Sequence, residues 1–134
     1  MIVLDEQLHG RRTVAAVSSW YRGHVISVTA LRPGTVIKDD AIPVLLRRAV
    51  QPTFVTINVR DFWGIAPAHD RYCIVTLDLP ATRISDVSKQ LRRLLRLREF
   101  SDKASRMGKV LRVTSHVIDY YGTDGLVRSI IWPQ

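Results

Sequence analysis

Apolar residues along this chain fall in short dense runs separated by longer stretches of helical period. Ile2, Val3 and Leu4 form a fully apolar run that meets Asp5-Glu6 at once, as in a buried strand ending in carboxylates. Over roughly 7–22, Val14, Val17 and Tyr21 share one helical face, and Gly23 stands where a helix terminator belongs. Residues 24–28 predict a second strand, and Pro33-Gly34 marks a turn within 31–38. A second helix opens near Asp39-Asp40 and turns Ile42, Leu45, Leu46 and Ala49 inward. Pro43 falls in its first turn, where a missing N–H is tolerated. Residues 53–57 predict strand three, followed by a loop or short helix near 61–65. Residues 72–77 predict strand four, stopped by Pro80.

The strongest helical pattern runs from about 84 to 98. Ile84, Val87, Leu91 and Leu94 make its apolar stripe with Leu95 beside it, while Lys89, Arg92, Arg93 and Arg96 lie opposite. After Met107-Gly108 the pattern changes. Residues 109–121 and 126–132 predict two strands around Gly122-Thr123-Asp124-Gly125, a hairpin with an Asp-Gly turn signal. Strands alternating with helices imply βαβ units, hence an α/β fold with a mainly parallel sheet and a C-terminal β-hairpin. No internal repeat or long linker divides the chain, so 1–134 is expected to form a single domain.

Composition narrows the class. Apolar residues make up 46%, enough for a globular core without disulfides. The lone Cys73 lies in an apolar strand and permits no disulfide within the chain, as expected in a reducing compartment. The first strand starts almost at the initiator, leaving no expected room for a signal peptide or leading domain. No apolar run approaches a membrane span, so a cytoplasmic protein without a membrane partner is expected. The net charge of +8 suits either nucleic acid or an acidic protein partner. A merely solvated basic surface fits the charge equally well.

The acids are placed against that basic background. If the first helix returns to strand two on one side, with strand three on the other side of strand one, a crevice opens beside Asp5. Open α/β sheets bind ligands at such a switch point. Asp5 and Glu6 follow strand one, Asp39 or Asp40 starts the second helix, and Asp61 follows strand three. Mg²⁺ or Mn²⁺ takes hard oxygen ligands and retains waters, so two or three carboxylates suffice to hold it. Such an ion can activate a water for attack on phosphorus.

Four segments occur in order: Val3-Leu4-Asp5-Glu6-Gln7-Leu8, Arg22-Gly23-His24-Val25, Asp39-Asp40-Ala41-Ile42 and Thr56-Ile57-Asn58-Val59-Arg60-Asp61-Phe62. Together, over about the first 80 residues, they resemble the short PIN-like domains, relatives of the PIN ribonucleases that act as toxins in toxin–antitoxin pairs. The resemblance implies a PIN-like three-layer sandwich with a 1–80 metal-site core and metal-dependent cleavage of RNA. It assigns Asp5, Asp40 and Asp61 as metal ligands, with Glu6 and Asn58 assisting. The family's third motif reads Thr, any residue, Asp. Here it reads Thr56-Ile57-Asn58, and Asp61 matches the acid before the Phe with one extra residue of spacing. Asn58 offers an oxygen but no negative charge, a departure that bears on activity more than on fold.

Blander roles stand beside these. Asp40 can serve as a helix N-cap, Asp61 can cap the following turn, and Asp5-Glu6 can favour the dipole of the first helix. Asp78 reads as part of a turn before Pro80. His9, His24, His69 and His116 lack metal-ligand spacing, although His9 is close to Asp5 in sequence. Phe62-Trp63 reads as core or lid before it reads as a stacking platform. The stripe Lys89, Arg92, Arg93 and Arg96 can contact RNA phosphates, dock an acidic antitoxin, or simply face solvent. The rival functional classes are a non-catalytic binding module on the same fold and a phospho-receiver-like domain. The receiver would need an Asp where Asn58 stands. The sequence leaves a homodimer open.

Overall fold

The computed structural model describes residues 1–8 and 10–133, so His9 lies outside the described residues. Seven strands form one sheet in the order β2-β1-β3-β4-β5-β6-β7. They are β1 (Ile2–Leu4), β2 (Val25–Ser27), β3 (Thr53–Thr56), β4 (Cys73–Leu77), β5 (Val110–Val113), β6 (Val117–Tyr121) and β7 (Val127–Ile131). Pairings from β2 through β5 are parallel, and β5–β6 and β6–β7 are antiparallel. The fold is therefore α/β with a mixed sheet, and the β6–β7 hairpin lies where Asp124-Gly125 predicts it. Gly125 takes φ +74 there, a left-handed value glycine adopts without strain.

Alternation along each strand sends side chains to opposite faces, and both faces are covered. Ile2 and Leu4 join Val55, Cys73, Val75 and Leu77 in a core with helices α1 (Arg11–Ser18) and α4 (Val87–Leu95). Val3, Phe54 and Ile74 form the opposite core with α2 (Ile42–Arg48) and α3 (Val59–Phe62). Burial on both faces explains why β1, β3 and β4 are buried at every position, with threonine as their one polar residue type. The chain leaves β1 through α1 to β2 on one side of the sheet, then crosses β1 through α2 to reach β3 on the other. The switch point lies between β1 and β3.

Several boundaries differ from the sequence reading, each for a local reason. The expected helix 7–22 is a 3₁₀ turn at Glu6–Leu8 followed by α1, parted by Gly10 in an extended conformation at ψ 143. The helix stops at Ser18, so Gly23 does not terminate it. A Cβ on Gly23 would instead come within 2.7 Å of Tyr21 Cε2, so glycine allows this close approach. The expected helix 84–98 begins as a 3₁₀ stretch at Ala81–Asp86 and becomes α-helical only from Val87 to Leu95.

The expected strand 109–121 is broken into β5 and β6. Thr114 folds it back: its Oγ1 accepts the N–H groups of His116 (3.3 Å) and Val117 (3.0 Å). That hydroxyl satisfies donors which a continuous strand would give to a neighbour. A short helix α5 (Lys103–Arg106), capped by the Asp102 carboxylate on the Ser105 N–H at 2.7 Å, was not expected from the pattern.

Candidate acidic site

The carboxyl ends of β1 and β3 bring the first acid and its partner together. The Asp5 N–H donates to Val55 O at 2.9 Å, extending the ladder one residue past β1 and fixing the side chain over the end of β3. Asp5 is 6% exposed. Its Oδ1 accepts the Glu6 N–H at 2.7 Å, and its Oδ2 accepts the Thr56 hydroxyl at 2.6 Å. Burial pushes the Asp5 carboxyl above its ordinary range, while the bonds from Thr56 and Glu6 N–H oppose that rise. The Glu6 carboxylate adds to the rise by repulsion and is itself exposed.

Thr56 connects Asp5 to the next acid. Its Oγ1 accepts the Asn58 N–H at 2.9 Å while its own proton goes to Asp5. Asn58 is the N-cap of α3: its Oδ1 accepts the Asp61 N–H at 3.3 Å, and its Nδ2 donates to Asp61 Oδ2 at 2.8 Å. The amide oxygen is thus turned toward the α3 backbone, and the amide nitrogen orients Asp61. Asn58 acts on the site through Asp61.

The helix acids divide their roles. Asp39 is near the others: its carboxyl is raised by partial desolvation first, then by the charges of Asp5 and Asp61. Asp40, the residue matched by the resemblance, adds a weaker repulsion on Asp39. Asp39, Asp40 and Asp61 line one cavity of about 470 Å³ whose walls include Pro43, Phe62 and Ile65. Asp5 does not line this cavity but is within electrostatic range of Asp39. Asp5, Thr56, Asn58 and Asp61 are linked by hydrogen bonds at the switch point, with Asp39 coupled to them by charge.

Carboxylates held this close disfavour full ionisation, and a proton or a cation relieves the repulsion. The oxygens of Asp39 and Asp61 suit a hard divalent ion. Among the described residues no group of three or more His, Cys, Asp or Glu side chains is placed to hold a metal ion. Asp61 Oδ2 already accepts the Asn58 amide, and both Asp5 oxygens are engaged within the protein.

Other candidates lie elsewhere. Asp78 pairs with Arg112 at 3.3 Å beyond β4. His69 stacks on Tyr72 and accepts the Arg71 N–H, while His24 and His116 are exposed. Phe62 is a core residue, 1% exposed, and Trp63 packs against Tyr121 at 5.1 Å. Lys89, Arg92, Arg93 and Arg96 are exposed on α4, on the opposite face of the sheet from α2 and α3. Among the described residues no helix is long and apolar enough to cross a membrane.

The sequence reading missed Thr56 as the bridge, and it ranked Asp40 above Asp39. The Thr-x-Asn spacing held the first signal, because a threonine two residues before a helix cap can serve both neighbours. Comparison with protein-family models, with curated proteins and with solved structures gives no match.

Proposed function

We propose that this chain is a PIN-like, metal-dependent ribonuclease, the toxin component of a toxin–antitoxin pair. One observation carries this reading: Asp5 and Asp61 are linked through Thr56 and Asn58 at the switch point between parallel strands, with Asp39 in electrostatic range of both. Asp39, Asp61 and Asp5 would hold Mg²⁺ or Mn²⁺, with Asp40 and Glu6 adding negative charge at the rim. When bound, the ion would lower the pKa of a coordinated water and neutralise charge developing on phosphorus.

The protein's own groups prepare that site. The Thr56 hydroxyl favours the ionised form of Asp5 against burial, and Asn58 holds Asp61 toward the cavity. Phe62 and Ile65 give that cavity an apolar side. A cytoplasmic protein acting on RNA and restrained by an acidic antitoxin accords with the net charge of +8. Dimerisation is a further part of the proposal.

A second reading, a binding module on the same fold without catalysis, is favoured by Asn58 standing where the resemblance expects an acid. Cleavage of structured and unstructured RNA in Mg²⁺ or Mn²⁺, with EDTA as control, separates the two readings. Metal-dependent cleavage that is lost in Asp5→Asn supports the nuclease. Absence of cleavage under all metals, or equal cleavage by Asp5→Asn, overturns it.

A further inference from the structure

The basic side chains gather along one seam. Helices α1 and α4 run side by side on the sheet, and three adjoining cavities lie along their junction. The first, about 170 Å³, includes Arg12, Ala16 and Ser88. The second, about 530 Å³, shares Ala16 and Ser88 with it and adds Lys89 and Arg93. The third, about 630 Å³, shares Trp20, Arg92 and Arg96 with the second and ends at Arg22, Lys103 and Arg106. The groove is thus continuous. It starts near the amino end of α1, at the sheet edge that carries Asp5, and runs to the opposite edge.

Among the described residues its cations form no salt bridge. The ion pairs among the described residues are Arg83–Asp86, Arg112–Asp78 and Arg128–Asp124, and none involves a groove cation. Asp102 is the one acid in the lining of the three cavities, and its carboxylate caps α5. At the far end Arg106 is 2% exposed, with the Asp102 carboxylate within range of its charge but not in a salt bridge with it. Its Nε donates to Thr53 Oγ1 at 3.1 Å and its Nη1 to Phe100 O at 2.9 Å, fixing the guanidinium in the groove wall. A row of cations on low-dielectric walls, with a buried arginine fixed at its end, concentrates positive potential where a polyanion can lie.

The floor and the width select the kind of polyanion. Trp20 lines both larger cavities, held by an indole N–H bond to Ser88 Oγ at 2.9 Å, with Tyr21 packed edge-on against it. Aromatic faces beside a basic groove suit stacked bases of a single strand. Packed helices stand about 8–10 Å apart axis to axis, so their seam is narrower than a duplex.

We propose that the α1–α4 seam is a track for single-stranded nucleic acid, gripping phosphates through Arg92, Arg96, Arg22 and Lys103 and leading the strand toward the edge that carries Asp5. The track rests on the ribonuclease reading for the choice of RNA. Its test uses no metal, so a failed nuclease leaves this readout intact.

The test is fluorescence polarisation with a labelled oligouridylate about a dozen nucleotides long, within the range that single-strand sites cover, in EDTA. The wild type should bind the single strand more tightly than a duplex of equal length. The triple variant Arg92→Gln/Arg96→Gln/Lys103→Gln should bind about tenfold more weakly or worse. Its log–log salt slope should be shallower by about 2, since each single-strand phosphate contact contributes about 0.7. Arg22→Gln alone should flatten the slope by roughly 0.7, which keeps the test valid if the triple variant folds poorly. Unchanged affinity and slope in both variants overturn the track. So does tighter binding of duplex, or binding of polyglutamate without binding of RNA, which would mark an acidic-protein surface instead.

Discussion

Replacing Thr56 with valine isolates the bond on which the acidic site depends. Valine has nearly the same shape and suits the centre of a strand, so β3 should persist. Two interactions disappear. Asp5 Oδ2 loses the 2.6 Å bond that favours its ionised form, and the Asn58 N–H loses its 2.9 Å acceptor. A hydrogen bond to a charged group contributes about 1.5–3 kcal/mol, and an orphaned, partly buried N–H adds about 1 kcal/mol. At neutral pH the loss should total about 2–4 kcal/mol. Once the Asp5 carboxyl is protonated the lost bond is a neutral one, which lowers the total to about 1–2 kcal/mol.

The sign of the pH dependence follows from burial. The folded Asp5 carboxyl titrates above its ordinary 3.8, so its contribution to stability is fully present below 3.8 and declines as pH rises through the folded value. Removing Thr56 raises that folded value further. The gap between wild type and variant should therefore widen from acid to neutral pH. Urea denaturation of both proteins at the two pH values measures it. A gap that is constant with pH, or a valine variant as stable as wild type, would refute the claim that Thr56 favours the ionised form of Asp5.

Other outcomes follow from the same packing and charges. Asp39→Asn should stabilise the metal-free protein by a few tenths to about 1 kcal/mol at neutral pH, because the Asp39 carboxyl is also raised and its ionisation opposes folding. Thermal melts across pH check this, and the gain should vanish toward acid. Cys73 is fully buried with its thiol pushed up to about 12, so maleimide should label it only in denaturant. Native labelling at the denatured rate would contradict its place in the core. Gly108 takes φ +87, so Gly108→Ala should cost about 1 kcal/mol by denaturant titration. An unchanged midpoint would mean that this turn relaxes freely.

The parallel core was legible because its strands are dense apolar runs, broken only by threonine and short enough to exclude helices. The segments Ile2–Leu4, Thr53–Thr56 and Cys73–Leu77 each ended within a residue of a polar or turn signal. The order β2-β1-β3 was posed only as a condition in the sequence, and the fold meets it, bringing Asp5 and Asp61 to one edge. Helix ends were less legible. At Gly10 and at Ala81–Asp86 the apolar period continues through a backbone that is not α-helical. The break between β5 and β6 depends on one hydroxyl at Thr114, which carries no periodic signal. Periodicity also could not decide between adjacent Asp39 and Asp40, because a 3₁₀ turn turns them by a different angle from an α-helix. Arg106 escaped notice for another reason: its burial arises from contacts with Thr53 and Phe100, far from it in one case and in an irregular turn in the other.

Calorimetric titration of the protein with Mn²⁺ in the absence of RNA most directly tests whether the acids at the β1–β3 edge hold a divalent ion. The structure places Asp39 and Asp61 on one cavity with Asp5 within electrostatic range of Asp39. The expected result is saturable binding of one ion per chain, lost or weakened at least tenfold in both Asp39→Asn and Asp61→Asn. Binding should also release protons at mildly acidic pH, because the raised carboxyls must ionise to coordinate. No saturable heat at millimolar Mn²⁺, or identical isotherms for wild type and both variants, would contradict the account.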